Sequence, residues 1–526
     1  MSASASPPPG IRDELLEVLA RRALTEDSAR PDAVDRLHAK GLRSAREQVA
    51  ALVDPGSFVE YGRFVTAAQE THRGEDDLLD RTVADGIVGG LATVDGRQVG
   101  VLSYDYLVMA GTQGMRGHVK TDRLLDVIER LELPCVFFAA GGGGRPGDVD
   151  MPLVSALDVT TFARWARLSG RVPRVAVVDG PCFAGNAVVA GCADLVVATP
   201  NASLGMGGPA MIAGGGLGEV ATGEVGPLEV MTANGVVDVA CDPDDAAAVA
   251  AELLGLLADP GGASSGPWTA TDQTVLRDLV PEGERLAYDP LPIVETLLDE
   301  DSVVVLRPDF APELVTALGR LEGRTVGVLA TDSRHTAGAI TADAGDKGAR
   351  FMQLCDAYGI AVVSLVDTPG MMVGPDAERT GLVRHTSRLL VAGAQLTVPL
   401  VGVVLRRAYG LGAQAMLGGS THEPLMTLAW PGAHLGAMGL EGAVRLSRRR
   451  ELDALAQEQG ENAREARVAE LVAEAEHRAR ALNVARYVEI DDVIDPAETR
   501  GVIARLLDAA ARDGRLRPSR RAVDTW

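Results

Sequence analysis

The stretch VPRVAVVDGPCFAGNA at residues 172–187 recurs as VPLVGVVLRRAYGLGA at residues 398–413, 226 positions later. Other matches keep the same order along the chain. DGRQVGVL at residues 95–102 matches EGRTVGVL at residues 322–329, at an offset of 227. The units of solenoid and propeller proteins repeat every ~20–50 residues. The much longer period here indicates two duplicated domains.

Each copy alternates short apolar runs with stretches of helical periodicity. The runs VGVL, PCVFFA and RVAVV are β-branched and bounded by Gly or Pro, which is typical of buried parallel strands. TDRLLDVIERLEL and GARFMQLCDAYGI carry apolar residues at helical spacing. The pattern predicts an α/β protein in which helices cover a mainly parallel sheet in each domain.

Domain limits follow from the repeat and from the turn-rich stretch between the copies. We expect a first domain at residues 36–270 and a second at residues 285–526, with a surface linker around ADPGGASSGPW in the stretch 258–292. Residues 1–35 are expected to form a disordered or helical extension that starts with a frayed MSASASPPPG tail. The Ala-, Glu- and Arg-rich stretch at residues 448–482 predicts a helix used for packing or subunit contact.

Composition restricts the class of function. The formal net charge of −23 over 526 residues argues against a nucleic-acid partner, although a local arginine cluster can still bind phosphate. Apolar runs are interrupted before they reach the length of a membrane span, so we expect a cytoplasmic protein. The five cysteines show no CxxC pair and no metal-ligand spacing with histidine, which predicts free thiols and no metal site.

Glycine follows an apolar strand at two places in each copy. These places are AAGGGGR at 139–145, GPCFAGNA at 180–187, DTPG at 367–370 and AYGLGA at 408–413. A strand that ends in glycine before a helix leaves backbone N–H groups free at the helix start. Such groups stabilise a developing oxyanion. The alternative is that the glycines only permit tight turns and close packing.

Several long segments resemble one protein family. GPCFAGNAVVAGCAD at 180–194 is similar to the oxyanion segment of the crotonase superfamily. RLHAKGLRSAREQVAALVDPGSFVEYG at 36–62 and GDKGARFMQLCDAYGIAVVSLVDTPGMMVG at 345–374 resemble the two domains of acyl-CoA carboxylase β-subunits. RRAYGLGAQAM, LAWPGAHLGAMGLEGAV and DDVIDPAETR extend the resemblance to about residue 500. The resemblance implies two tandem crotonase-like (ClpP/crotonase) domains and the carboxyltransferase activity of biotin-dependent acyl-CoA carboxylases.

The same resemblance implies roles for particular residues. Carried over by position, the thioester oxyanion pair is Ala184 and Gly185, and the pair for the biotin carbonyl is Leu411 and Gly412. Leu411 stands where the family has glycine, which alters the pocket shape. The remaining candidates for substrate binding are Gly142, Gly143, Gly144, Phe183, Tyr409, Gln414, Arg43 and Arg46.

Several of these candidates have a specific expected task. Gln414 corresponds to a family position that separates acyl chains, and with Met416 nearby it suggests a short or medium acyl-CoA. Arg43, Arg46 and Arg145 are candidates for CoA phosphate or for structural pairing. His118 and Lys120, at the start of a predicted helix, face either CoA phosphate or solvent.

The resemblance also implies cofactors and partners. Biotin arrives as carboxybiotin on a separate carrier chain, the substrate is a coenzyme A thioester, and no metal is needed. The chain has neither an AMKM-type biotinylation segment nor an ATP-grasp pattern. We therefore expect a biotin carboxylase and a biotin carboxyl carrier protein, or a fused α-subunit, as partners. The family precedent is a homo-hexamer built as a trimer of dimers.

Three other functions are alternatives to this one. A crotonase-type hydratase or isomerase needs a carboxylate, but the hydratase glutamates align here to Val188 and to about Gly208, which excludes that chemistry. An acyl-CoA decarboxylase on the same scaffold, biotin-dependent or not, stays open because direction depends on partner subunits. A non-catalytic structural subunit of a carboxylase complex also stays open.

Overall fold

Two β-sheets organise the chain, and each belongs to one of two units divided between Gly255 and Leu256. The computed structural model describes residues 12–151, 155–261, 266–283 and 286–526. The predicted MSASASPPPG tail lies outside the described residues. After the predicted surface linker ADPGGASSGPW at residues 258–268, the boundary stretch contributes to the core of the second unit, because Leu276 is fully buried and clusters with Ile293 and Val294.

The first unit contains a seven-stranded sheet in the order β1-β2-β3-β4-β5-β7-β9 and a separate parallel pair, β6-β8. Strands β1 to β3 pair antiparallel, and the pairs from β3 to β9 are parallel. The strands are β1 Val59–Glu60, β2 Ile87–Val94, β3 Arg97–Tyr104, β4 Cys135–Phe138, β5 Arg174–Val178, β6 Pro181–Phe183, β7 Leu195–Ala198, β8 Ser203–Gly205 and β9 Val239–Ala240.

Helices cover this sheet, and α5 packs directly against it. The helices are α1 Asp13–Leu24, α2 Pro31–His38, α3 Ala45–Leu52, α4 Glu75–Arg81, α5 Met115–Leu131, α6 Thr161–Arg167, α7 Gly185–Gly191, α8 Pro209–Gly214, α9 Leu228–Ala233 and α10 Ala246–Ala258, which crosses the division between the units. Leu124, Leu125 and Ile128 of α5 pack into one buried cluster with Phe137 and Trp165.

The second unit repeats the strand order of the first, with one long strand, β14, at the positions of β5 and β6. Its sheet has the order β10-β11-β12-β13-β14-β15-β17, with β16 paired to β14. The strands are β10 Val304–Leu306, β11 Leu314–Leu321, β12 Arg324–Thr331, β13 Ala361–Thr368, β14 Leu400–Tyr409, β15 Met426–Ala429, β16 His434–Gly436 and β17 Asp492–Val493. Gly100 pairs with Cys135 in the first sheet, and Gly327 pairs with Val362 in the second. These pairs differ by the 227 residues of the sequence repeat, so the duplication extends to strand register.

The helices of the second unit include one departure from expectation. They are α11 Leu276–Leu279, α12 Leu291–Leu297, α13 Ala342–Tyr358, α14 Pro375–Glu378, α15 Leu382–Ala394, α16 Gly410–Met416, α17 Leu440–Ser447, α18 Arg449–Gln459, α19 Glu461–Ala479, α20 Ala481–Ala485 and α21 Thr499–Arg512. The stretch 448–482, predicted as one helix, is broken at Gly460, whose φ is +89°. Helices α18 and α19 pack with α17 around Leu452, Val468 and Leu471.

Candidate active sites

A glycine loop after β4 forms the first part of the site in unit 1. Gly141 pairs with Cys182 on one side, and Gly144 pairs with Gln113 on the other. The N–H of Gln113 donates to the carbonyl of Gly143 at 2.7 Å, and the N–H of Arg145 donates to the carbonyl of Gln113 at 3.0 Å. Because both neighbours of Gly144 bond toward Gln113, the N–H of Gly144 points to the other side of the loop. It has no acceptor among the residues that the structure describes.

The start of α7 forms the second part. Gly185 is the first residue of α7, so its N–H has no partner inside the helix, and no described residue accepts it. The N–H of Ala184 donates to the carbonyl of Gly205 at 2.9 Å. The expected donor pair Ala184 and Gly185 therefore contains one N–H that is already bonded within the protein. Ala184 also has a φ of +50°, a conformation that costs a non-glycine residue about 1–3 kcal/mol.

Gly144, Ala184 and Gly185 line one cavity of about 610 Å³. This volume lies within the ~300–1,000 Å³ of ordinary ligand pockets. The other lining residues are Gln113, Met115, His118, Arg145, Pro146, Ala156, Val159, Phe162, Val188 and Met206. Most of the wall is apolar, and none of these lining residues is a carboxylate. The cavity thus brings two open N–H groups together with few side chains that could transfer a proton.

Asn186 connects the loop to the helix, and the sequence reasoning missed it. Its side chain is fully buried, and Oδ1 accepts the N–H of Gly143 at 2.9 Å. Gly143 has a φ of +89°, and a Cβ there would lie 2.8 Å from the Cβ of Ala184. The only signal in the sequence was an asparagine directly after the glycine that opens α7. Gly142 belongs to the same loop, and its N–H donates to the carbonyl of Ala110 at 3.0 Å.

Arg145 is held by carboxylates of its own unit. It forms buried ion pairs with Asp85 and, at 3.6 Å, with Asp148. Asp85 accepts the N–H of Gly117 at 2.5 Å, and Asp148 accepts the N–H of Met115 at 2.8 Å. Burial raises the pKa of Asp85, and the positive charge of Arg145 opposes that rise. Of the two roles open to Arg145 in the sequence, the contacts support structural pairing.

Arg43 and Arg46, expected at the substrate, also have carboxylate partners. Arg46 binds both oxygens of Glu60, at 3.1 and 3.2 Å, and donates to the carbonyl of Thr25 at 2.7 Å. Arg43 pairs with Asp244. Neither arginine is among the residues that line the cavity.

Lys120 and its repeat partner Lys347 are buried structural lysines. The ammonium of Lys120 donates to the carbonyls of Ile87 and Ala84, at 2.5 and 3.3 Å. That of Lys347 donates to three carbonyls around Phe310, the closest at 2.7 Å. Burial lowers the pKa of Lys120 to about 8 and that of Lys347 to about 7. Lys120 therefore faces neither solvent nor CoA phosphate, which were the two expectations for it.

Unit 2 carries the counterpart of the glycine loop. Ile340 pairs with Met371: the N–H of Ile340 donates to the carbonyl of Gly370 at 3.0 Å, and the N–H of Met372 donates to the carbonyl of Ile340 at 2.9 Å. Met371 thus takes the place of Gly144, with its N–H turned away from Ile340. The counterpart of Gly185 is Leu411 at the start of α16. In the described part of the chain, neither N–H has an acceptor.

The other predicted residues of unit 2 divide between a cavity and the core. A cavity of about 470 Å³ is lined by Gly410, Leu411, Gln414, Leu435 and Gly436, among others. Gly412 packs against Gly370, and a Cβ on Gly412 would lie 2.5 Å from the carbonyl carbon of Gly370. Met416, expected to shape the pocket, is fully buried in the core instead.

The two aromatic candidates lie beneath the turns and do not line the cavities. Phe183 is buried next to Gly208, where a Cβ would lie 2.9 Å from its ring. Tyr409 is buried next to Gly436, the counterpart of Gly205: a Cβ would lie 3.5 Å from the Tyr409 ring at Gly436 and 3.6 Å from the Phe183 ring at Gly205. Both rings support the turn that leads into the helix of the site.

Comparison with known proteins gives the family. A model of the carboxyl transferase domain matches residues 36–523. The chain belongs to the carboxyl transferase domain family. It is 34% identical to the propionyl-CoA carboxylase beta chain of Saccharopolyspora erythraea, over 90% of this chain and 89% of that one. The chain is thus a carboxyltransferase of the biotin-dependent acyl-CoA carboxylase type, as predicted.

Two solved structures resemble the chain over nearly its whole length. A single-chain, multi-domain long-chain acyl-CoA carboxylase is 49% identical with a TM-score of 0.88, and the match covers 94% of this chain and 49% of that protein. The transcarboxylase 12S hexamer, solved with methylmalonyl-CoA bound, is 30% identical with a TM-score of 0.83 and 97% coverage of both chains. The predicted α/β, crotonase-like fold class is confirmed.

Two features are absent from the residues that the structure describes. No helix there has both the length and the apolarity needed to cross a bilayer. No group of three or more His, Cys, Asp or Glu side chains there is placed to hold a metal ion.

Proposed function

We propose that this chain transfers a carboxyl group from carboxybiotin on a carrier protein to the α-carbon, or the vinylogous carbon, of an acyl-CoA. The observation that carries the proposal is the repeated pair of open N–H groups, Gly144 with Gly185 and Met371 with Leu411. Each pair comes from the same two structural positions of a duplicated unit. A duplicated site suits a reaction in which two carbonyl oxygens become negative.

In unit 1, the N–H groups of Gly144 and Gly185 hold the thioester oxygen. When the α-proton leaves, charge moves onto this oxygen, and two fixed donors stabilise the enolate without having to reorganise. Removing one such donor costs about 3–4 kcal/mol in the transition state. Asn186 fixes the distance between the two donors by holding Gly143 against the start of α7.

In unit 2, the N–H groups of Met371 and Leu411 hold the ureido oxygen of biotin. Bound biotin supplies the carboxyl group and a ureido nitrogen able to accept the α-proton. The cavity beside Leu411 is smaller than that in unit 1, which fits a bicyclic head group on a narrow arm. Gln414 lines this cavity, so we assign it to the biotin side.

We further propose a long acyl group, in place of the short or medium one expected from the sequence. The wall of the unit 1 cavity carries Met206, Val159, Phe162 and Val188. The 49% identical relative is a long-chain acyl-CoA carboxylase.

We also propose a cytoplasmic homo-hexamer that works with a biotin carboxylase and a biotinylated carrier. The hexamer is the assembly described for transcarboxylase 12S.

The test supplies the purified chain with biotin carboxylase, biotinylated carrier, ATP, bicarbonate and acyl-CoAs of increasing length. We expect carboxylation that requires both partners and improves with chain length. Gly144→Pro, which removes one donor, should lower the rate at least ~10²-fold, whereas Gly144→Ala keeps the N–H and has open space for its Cβ. Carboxyl loss from carboxyacyl-CoA, with no forward reaction, would support a decarboxylase instead. A folded chain without turnover in either direction would indicate a structural subunit.

A further inference from the structure

His118 lines the unit 1 cavity but has no task in the reaction proposed above. It stands in the first turns of α5 and shares the cavity wall with Gly144 and Gly185. The ring of Phe162 connects these features. It makes an edge contact with the His118 ring at 5.9 Å, and its Cζ would lie 3.0 Å from a Cβ at Gly185.

Hydrogen bonds fix the tautomer of the neutral His118 ring. Thr161 Oγ1 lies 2.6 Å from Asp122 Oδ1 and 2.9 Å from His118 Nδ1. Thr161 donates its single hydroxyl proton to Asp122. Thr161 Oγ1 can then only accept from His118, which places a proton on Nδ1. In the neutral ring, Nε2 is left as a hydrogen-bond acceptor.

The surroundings keep the ring neutral and Nε2 open. Burial lowers the pKa of His118, and the charged groups that act on it are Asp122 of its own helix and Arg145 and Asp148 of the glycine loop. Nε2 has no hydrogen-bond partner among the described residues. An acceptor in a largely apolar ligand cavity has a cost unless a ligand supplies the donor.

We propose that His118 Nε2 accepts a hydrogen bond from the pantetheine amide nearest the thioester of the bound substrate. The proposal rests on acyl-CoA binding in unit 1. An unsubstituted acyl chain has no N–H or O–H donor, and the N–H groups nearest the thioester sulfur are the pantetheine amides. His118 is then a positioning residue: it fixes the thioester along its arm while Gly144 and Gly185 hold the carbonyl oxygen.

The test compares two small thioesters that differ in one atom. S-octanoyl-N-acetylcysteamine carries the amide N–H, and S-octanoyl-O-acetylmercaptoethanol has an ester oxygen in its place. Binding of each to the full chain is measured by competition with acyl-CoA, without carrier or ATP. The wild type should prefer the amide about tenfold, the effect of one hydrogen bond that replaces a lone-pair clash. His118→Phe should abolish the preference, and His118→Gln, which keeps an acceptor, should retain part of it.

The hydrogen-bonded chain of Asp122, Thr161 and His118 offers matched variants. Thr161→Val frees Nδ1 and should reduce the preference, whereas Thr161→Ser keeps the bonded hydroxyl and should preserve it. Thr160 bonds the other oxygen of Asp122 at 2.5 Å but not His118, so Thr160→Val should leave the preference unchanged. An equal preference in wild type and His118→Phe would overturn the proposal. The proposal would also be overturned if His118→Phe lost α-proton exchange in D2O but kept the preference for the amide, because His118 would then act as a base. Binding is read without carboxyl transfer, so failure of the proposed function is detected separately.

Discussion

Gly185 presents its N–H to the cavity and has no room for a side chain. A Cβ there would overlap Gln113 Oε1, and Gln113 is anchored by a 2.8 Å bond to the hydroxyl of Tyr104. We expect Gly185→Val to lower carboxyl transfer at least ~10²-fold, the scale of one lost oxyanion donor. The steady-state rate with saturating carrier is the measurement. Gly191→Ala, in the same helix with open space for its Cβ, should keep the wild-type rate. Near-normal turnover by a folded Gly185→Val protein would remove Gly185 from the site.

Lys347 makes stability depend on pH. Its folded pKa of about 7 lies below the unfolded value near 10.5, so between these values the unfolded chain binds more protons. The free energy of unfolding should therefore rise with pH in this window, by up to about 1.4 kcal/mol per pH unit. We expect the thermal midpoint of the wild type to rise relative to Lys347→Met between pH 7 and 9. Lys40→Met, at an exposed lysine, should track the wild type. A constant difference between wild type and Lys347→Met would contradict this account.

Single residues show which parts of the candidate sites could be predicted from the sequence and which could not. The correspondence of Gly185 and Leu411 could be predicted, because each follows an apolar strand and the offset of the repeat separates them. Gly144 and Met371 were not identified as donors, because their availability depends on pairing with Gln113 and Ile340 earlier in the chain. The partner of Arg43, Asp244, lies 201 residues away, so a carboxylate that occupies it could not be foreseen.

At the scale of elements, α5 and α13 each lie directly on a glycine of their sheet. A Cβ on Gly100 of β3 would lie 2.5 Å from Ile128 Cγ1 of α5, and one on Gly327 of β12 would lie 2.5 Å from Cys355 Sγ of α13. We expect Gly100→Ala to lower the thermal midpoint, because overpacking costs about 1–3 kcal/mol. Ile128→Val in the same chain should recover part of the loss. No recovery in the double variant would show that the strain lies elsewhere.

The elements themselves were the best predicted level. Short β-branched runs bounded by Gly or Pro identify the central strands because both faces of these strands are buried. The stretch 448–482 was harder to predict, because its mixture of acidic and basic residues continues on both sides of the break at Gly460. Gly460 was the only available signal, and a single glycine does not reveal a positive φ. The buried Leu276 in the boundary stretch was not predicted, because the polar residues around it give no sign of a core position.

At the scale of the whole molecule, duplication has kept the geometry of the two sites while their surfaces changed. Both units hold an open N–H at the loop bridge and another at the helix start. Met371 and Leu411 of unit 2 stand where unit 1 has Gly144 and Gly185, and Leu411 is 62% exposed. In the proposed mechanism, main-chain donors tolerate such changes because the stabilising groups belong to the backbone. On this proposal, the duplicated scaffold binds two different carbonyl groups.

This arrangement predicts that the two halves of the reaction can be lost separately. Met371→Pro removes one donor of unit 2 and should slow carboxyl release from the carboxybiotinyl carrier, measured without acyl-CoA, by about 10²-fold or more. Binding of acyl-CoA in unit 1 should be unchanged. Gly185→Val should show the opposite pattern, with weakened thioester binding and normal release from the carrier. Met371→Ala keeps the N–H and serves as the matched control. If Met371→Pro weakened acyl-CoA binding while carrier decarboxylation stayed normal, the assignment of the units would have to be reversed. If both variants impaired both assays equally, the two N–H pairs would not serve separate substrates.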